Sequence, residues 1–299
     1  LRAVCADTAA ATDVRLQAAR LLGEVADAPT AAEETARAAA FEAARRPGLA
    51  ARSIRLSIAA GALDDPELRL RQGRLLLEER DFGPARTVLQ DAAARLADPV
   101  RAAEAEVLAA RALLKTDVGA GLAALRKVAE TRAGTPAAGI ALFVLGDQTG
   151  NREQAISYSR RSASVGGPPE AREALFRLGD RTLKAKDPAG AARAWEEFVA
   201  RYPRGDDAAL AAYSAGVIHE KAGREAAARA MYTAAMDAEP ASYHAVRAGE
   251  RLGANPLART LGSPQPWVGL ASDAGDAAAV LRRLALLEAA GLEAEWKEE

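Results

Sequence analysis

Between Ala171 and Pro240 the chain carries the same helical hairpin twice, and that repetition limits the fold more than any other feature. In the first copy Leu175, Leu178 and Gly179 are followed by Ala191, Trp195 and Pro203. In the second, Ala212, Ala215 and Gly216 are followed by Ala228, Tyr232 and Pro240. Each glycine precedes its alanine by twelve residues, the aromatic comes four later, and the proline stands twelve after the alanine. Small residues at Gly179/Ala191 and Gly216/Ala228 let two antiparallel helices approach closely, and the aromatic fills the space beside that contact. The spacing predicts that each proline opens the next helix, where its missing N–H costs nothing.

This pattern resembles the tetratricopeptide repeat. The fold expected is all-α: an α-solenoid of tetratricopeptide-like hairpins forming a curved superhelix, each hairpin burying its apolar face against its neighbours. Composition agrees. Hydrophobic residues make up 49% of the 299, but only 4% are aromatic, so alanine and leucine carry the burial. Sheets favour β-branched and aromatic residues, which are scarce here. Arginine far outnumbers the six lysines, which with the alanine excess reads as genomic base bias. A net charge of −1 gives no global attraction to nucleic acid or anionic lipid.

Four regions follow along the chain. Residues 1–63 read as three or four helices, either a degenerate repeat or an N-terminal cap, with Asp13 as one N-cap and Thr30 opening a capping box with Glu33. Residues 64–253 read as helical repeats. Gly73, Ala85 and Leu89 recover the spacing, and turns are expected at Asp81-Phe82-Gly83, Asp117 to Gly121 and Thr149-Gly150-Asn151. Gly166-Gly167-Pro168-Pro169 is read as a repeat joint, and Asp187-Pro188 as an N-cap with proline at the first helical position. Residues 254–272 form a Pro/Gly-rich excursion carrying Trp267. Residues 273–299 are expected to be terminal helices leading to an absent downstream domain.

Catalytic constellations are missing. The adjacent glutamates at Glu33-Glu34, Glu78-Glu79, Glu196-Glu197 and Glu298-Glu299 diverge by about 100° on a helix, so solvated faces are expected. Gly119-Ala120-Gly121 lacks the strand and lysine of a phosphate loop and is read as a turn. Cys5 is the only cysteine, and His219 and His244 are the only histidines, so neither a metal site nor a cofactor site is expected. His219, Trp195, Tyr202, Tyr213 and Tyr232 are read as packing residues. The strongly apolar run Ala137 to Leu145 is far short of the ~20 residues that span a bilayer.

The segment Tyr243-His244-Ala245-Val246-Arg247-Ala248-Gly249-Glu250-Arg251-Leu252-Gly253, with the hairpin before it, resembles the helical region of the large soluble lytic murein transglycosylases. The matching positions are Tyr243, Ala245, Arg247, Ala248, Arg251, Leu252 and Gly253, while His244 departs from a second aromatic. Leu284, Leu287 and Gly291 are similar to that family's last repeats. The resemblance implies a periplasmic, monomeric superhelix, without catalytic residues, that positions a separate lysozyme-like domain on peptidoglycan glycan strands. The Glu-Ser pair of that domain does not occur in this chain. Arginines on a concave face would then hold a sugar strand. Leu1 to Cys5 is similar to a lipoprotein box, but Val4 stands where a small residue is wanted, so no anchor is assigned.

The alternative is a free-standing periplasmic repeat scaffold that binds a protein partner. Phe198 to Pro203 and the acidic residues after it are similar to repeat adaptors of outer-membrane assembly. Under either reading Tyr243, His244, Arg247, Arg251 and Trp267 are the candidate interaction residues.

Overall fold

A computed structural model describes residues 1–25, 29–165 and 169–257. Among the described residues the chain is fifteen α-helices joined by short turns, with no strand. They are α1 (Arg2–Ala6), α2 (Thr12–Val25), α3 (Ala31–Ala43), α4 (Pro47–Ala59), α5 (Pro66–Glu78), α6 (Phe82–Arg95), α7 (Pro99–Thr116) and α8 (Val118–Thr131). Then follow α9 (Pro136–Gln148), α10 (Arg152–Val165), α11 (Pro169–Lys184), α12 (Pro188–Arg201), α13 (Asp206–Lys221), α14 (Glu225–Ala238) and α15 (Tyr243–Leu252). The all-α solenoid of hairpins is what the sequence predicts.

Local chemistry sets most helix starts. Thr30 accepts from the Glu33 amide while the Glu33 carboxylate accepts from Thr30 N–H, a complete capping box. Asp65, Asp98, Thr135 and Asp187 cap helices whose first residue is proline. Pro203 and Pro240 behave differently from the expectation. They lie in the loops after α12 and α14, and the next helices open later, behind Gly205 at φ +91° and behind Ser242, whose side chain accepts from Ala245 N–H.

Two expected turns end earlier than read, while Thr149-Gly150-Asn151 joins α9 to α10 as expected. Phe82 and Gly83 already belong to α6, and Gly119 to Gly121 belong to α8, because Glu79 to Asp81 make the first joint and Asp117 alone the second. Asp13 is likewise not a cap but sits in the first turn of α2. The residues of the Gly166 to Pro168 joint lie outside the described residues, and Pro169 is the first residue of α11.

Packing follows the small-residue rule. A Cβ placed on Gly216 would meet the Tyr232 ring at 2.6 Å, and one on Gly179 or Gly73 would collide with the side chains of Trp195 or Leu89. The interior is accordingly divided into four successive clusters along the stack, not gathered around one centre. Each helix packs on the next, and from α5 to α15 every odd-numbered helix also touches the following odd-numbered helix. No comparable contact joins even-numbered helices among the described residues. The odd layer is therefore the tighter one, and a stack tighter on one side curves towards that side.

Candidate interaction face

The inner, odd-numbered layer carries the chain's charge in an ordered way. Arg71 on α5 pairs with Glu42 on α3 at 2.6 Å, Arg101 on α7 with Glu67 on α5 at 2.6 Å, and Arg74 on α5 with Glu104 on α7. Further along, Arg177 and Arg181 on α11 share Asp147 on α9, and Arg172 on α11 pairs with Asp207 on α13 at 2.9 Å. Arg251 on α15 ends the series on Glu220 of α13 at 2.5 Å. Partners in sequence stand 29 to 35 positions apart, one repeat, so these bonds stitch neighbouring hairpins. These arginines are therefore engaged by carboxylates of the protein itself.

Glu220 illustrates the resulting electrostatics. Its carboxylate accepts the Tyr232 hydroxyl at 2.6 Å as well as Arg251, and these two interactions, the tyrosine foremost, hold it below the usual glutamate range. Burial first, then the hydrogen bond to Glu220, pushes the Tyr232 phenol up. Three consecutive helices are thus joined by one carboxylate.

The sequence-selected residues of α15 do not converge on one site. Ser242 caps the helix and Ala245, Ala248 and Gly249 turn inward, which sends Tyr243 out to solvent at 69% exposure. His244 lies edge-on to the Tyr243 ring, centroids 5.3 Å apart, and packs on Tyr213 of α13 at 5.9 Å. Arg247 pairs with Glu250 of its own helix and Arg251 with Glu220. Trp267 lies outside the described residues.

Other sequence readings resolve locally. His219 is buried and bonded through Nε2 to Glu196. Glu34 is buried against Arg37 at 2.7 Å and is not part of a solvated face, as the adjacent-glutamate rule had it. No group of acidic, histidine or cysteine side chains among the described residues could hold a metal ion.

Sequence reasoning missed the most open features of this face. A groove of about 640 Å³ opens where the end of α11 and the start of α12 meet α13. Leu183, Trp195, Tyr213, Val217 and Ile218 make its apolar walls, and Lys221 and Arg224 stand at its rim. Leu183 is 41% exposed, although leucine is among the residues most often fully buried. A second groove, of about 650 Å³, lies among α5, α6 and α7. Leu77 and Phe82 take there the places of Leu183 and Pro188, four and nine residues after Gly73 as those are after Gly179. The signal was an apolar residue four beyond Gly73 and Gly179, where the second copy has Glu220 four beyond Gly216.

The stacked hairpins, the glycine contacts and the tighter odd layer decide the architecture. It is a tetratricopeptide-type helical repeat. The solved C-terminal part of a TPR repeat-containing protein from Cytophaga hutchinsonii is similar in fold, with a TM-score of 0.52 and 12% identity, covering 79% of this chain and 94% of that one. The Cut9–Hcn1 hetero-tetramer of the APC/C also aligns, at a TM-score of 0.44 and 12% identity over 79% of this chain and 45% of that chain. No family model matches the chain, and no curated protein matches it. No helix among the described residues is long and apolar enough to cross a membrane.

Proposed function

We propose that this chain is a non-catalytic repeat scaffold that holds a segment of a protein partner on its odd-numbered layer. One observation carries the reading: the groove among α11, α12 and α13 offers the apolar side chains of Leu183, Trp195, Tyr213, Val217 and Ile218 to the outside, with Lys221 and Arg224 at its edge. Such a surface suits the apolar side chains of a peptide. A sugar strand would find few hydrogen-bonding groups there, since Tyr213, Ser214, Lys221 and Arg224 are the polar residues of an otherwise apolar lining.

Panning a random peptide library against the full chain tests this. Peptides rich in apolar side chains are expected to be enriched, and to bind at least tenfold more weakly to Val217→Glu, whose melting temperature stays within a few degrees because Val217 is only partly buried. Enrichment of no peptide, or equal binding to the variant, would overturn it.

A second reading keeps the resemblance of Tyr243 to Gly253 in view: the chain as the superhelical region of a periplasmic lytic transglycosylase, positioning a lysozyme-like domain on peptidoglycan. Its support is that segment's residue pattern. It expects the full chain to sediment with purified murein more strongly than an unrelated helical-repeat protein of equal charge, and equal sedimentation would remove it.

A further inference from the structure

The groove among α5, α6 and α7 has the position of the α11–α13 groove but a different chemistry. Its floor is Leu77, Phe82 and Leu108, each half-buried, and its rim carries Arg74, Arg80, Arg111 and Lys115. Arg74 is neutralised by Glu104. Arg80, Arg111 and Lys115 form no ion pair among the described residues, and Glu78 is the only other carboxylate in the lining. By contrast Arg71, Arg101, Arg172, Arg177 and Arg251 on this layer are matched by carboxylates of a neighbouring hairpin. Arg111 and Lys115 stand four apart on α7, where like charges repel across one helical turn, and Arg80 enters from the turn at φ +63°. Three cations converge over an apolar floor, with Glu78 as the one carboxylate of the lining that forms no ion pair among the described residues.

We propose that this second groove binds an acidic peptide segment, with carboxylates on Arg80, Arg111 and Lys115 and one apolar side chain on Leu77, Phe82 and Leu108. The inference rests on the scaffold reading above and names the chemistry of one of its ligands. A peptide fits better than a nucleic acid, because three cations on a chain of net charge −1 replace few backbone counterions.

The test uses fluorescence anisotropy on the full chain with a labelled heptapeptide of glutamates around one central leucine. Its glutamine counterpart and a short single-stranded oligonucleotide are the comparisons. The glutamate peptide is expected to bind at least tenfold tighter than either, and more weakly as salt rises. The double variant Arg111→Glu/Lys115→Glu loses that binding and instead takes the corresponding lysine peptide, which also shows that it is folded. Val217→Glu, in the other groove, leaves it unchanged. Equal binding of the glutamine peptide or the oligonucleotide, or no effect of the charge reversal, would overturn the proposal. No binding of the glutamate peptide by the unaltered chain, while library peptides still depend on Val217, would overturn it alone and leave the scaffold reading standing.

Discussion

An added methyl at Gly216 would meet Tyr232 Cε1 at 2.6 Å, and the ring cannot retreat because its hydroxyl is fixed on Glu220. Gly216→Ala is therefore expected to destabilise the fold by about 1–3 kcal/mol, overpacking outweighing the ~1 kcal/mol that alanine gains over glycine in a helix. Gly83→Ala, with nothing within 4 Å of the new methyl, should not lower the melting temperature. Thermal denaturation followed by circular dichroism separates the two. A second residue-scale prediction concerns acid. Asp64 is bound by Arg69 at 2.7 Å and by Arg95 at 3.2 Å, and these bonds, Arg69 first, lower its pKa from 3.8 to about 2. A depressed carboxylate stabilises above its unfolded pKa and loses that contribution as pH falls through the folded value. Melting temperature should decline between pH ~4 and ~2, and Asp64→Asn should flatten that part of the profile.

Helices are where the sequence was most informative, because their ends are set by short-range chemistry. Thr30 with Glu33 and Asp187 with Pro188 could be read directly, since each signal needs only residues within one turn. Thr30→Ala removes the hydroxyl acceptor of the Glu33 amide and should cost about 1 kcal/mol, measured by urea denaturation. Pro203 and Pro240 were misread because a proline is equally acceptable just after a helix and at the start of one. What decides between them is Gly205 at φ +91° and the Ser242 cap, each two residues further on. The groove residues were harder. Nothing within one hairpin tells that Leu77 or Leu183 borders a groove, since the groove also needs the next hairpin's first helix. The ion pairs had the same obstacle, and a search for opposite charges about one repeat apart would have found them.

At the scale of the molecule the account is a curved stack whose inner layer is stitched by one-repeat ion pairs and interrupted by two grooves of unlike chemistry. Because each hairpin rests on its neighbours, local damage should spread along the stack. Asp147 holds both Arg177 and Arg181, so Asp147→Ala should loosen the contact between α9 and α11 and raise amide exchange in both helices more than in α3 and α4. Exchange confined to the mutated turn would argue against coupling between hairpins. The central claim is that partners sit on the odd-numbered layer. The most direct measurement places a benzophenone side chain at Val217 on α13, and separately at exposed Ala226 on α14, and photocrosslinks each protein to a peptide selected from the library. The account predicts a crosslink from Val217 and none from Ala226. A crosslink of equal yield from Ala226, on the even-numbered layer, would contradict it.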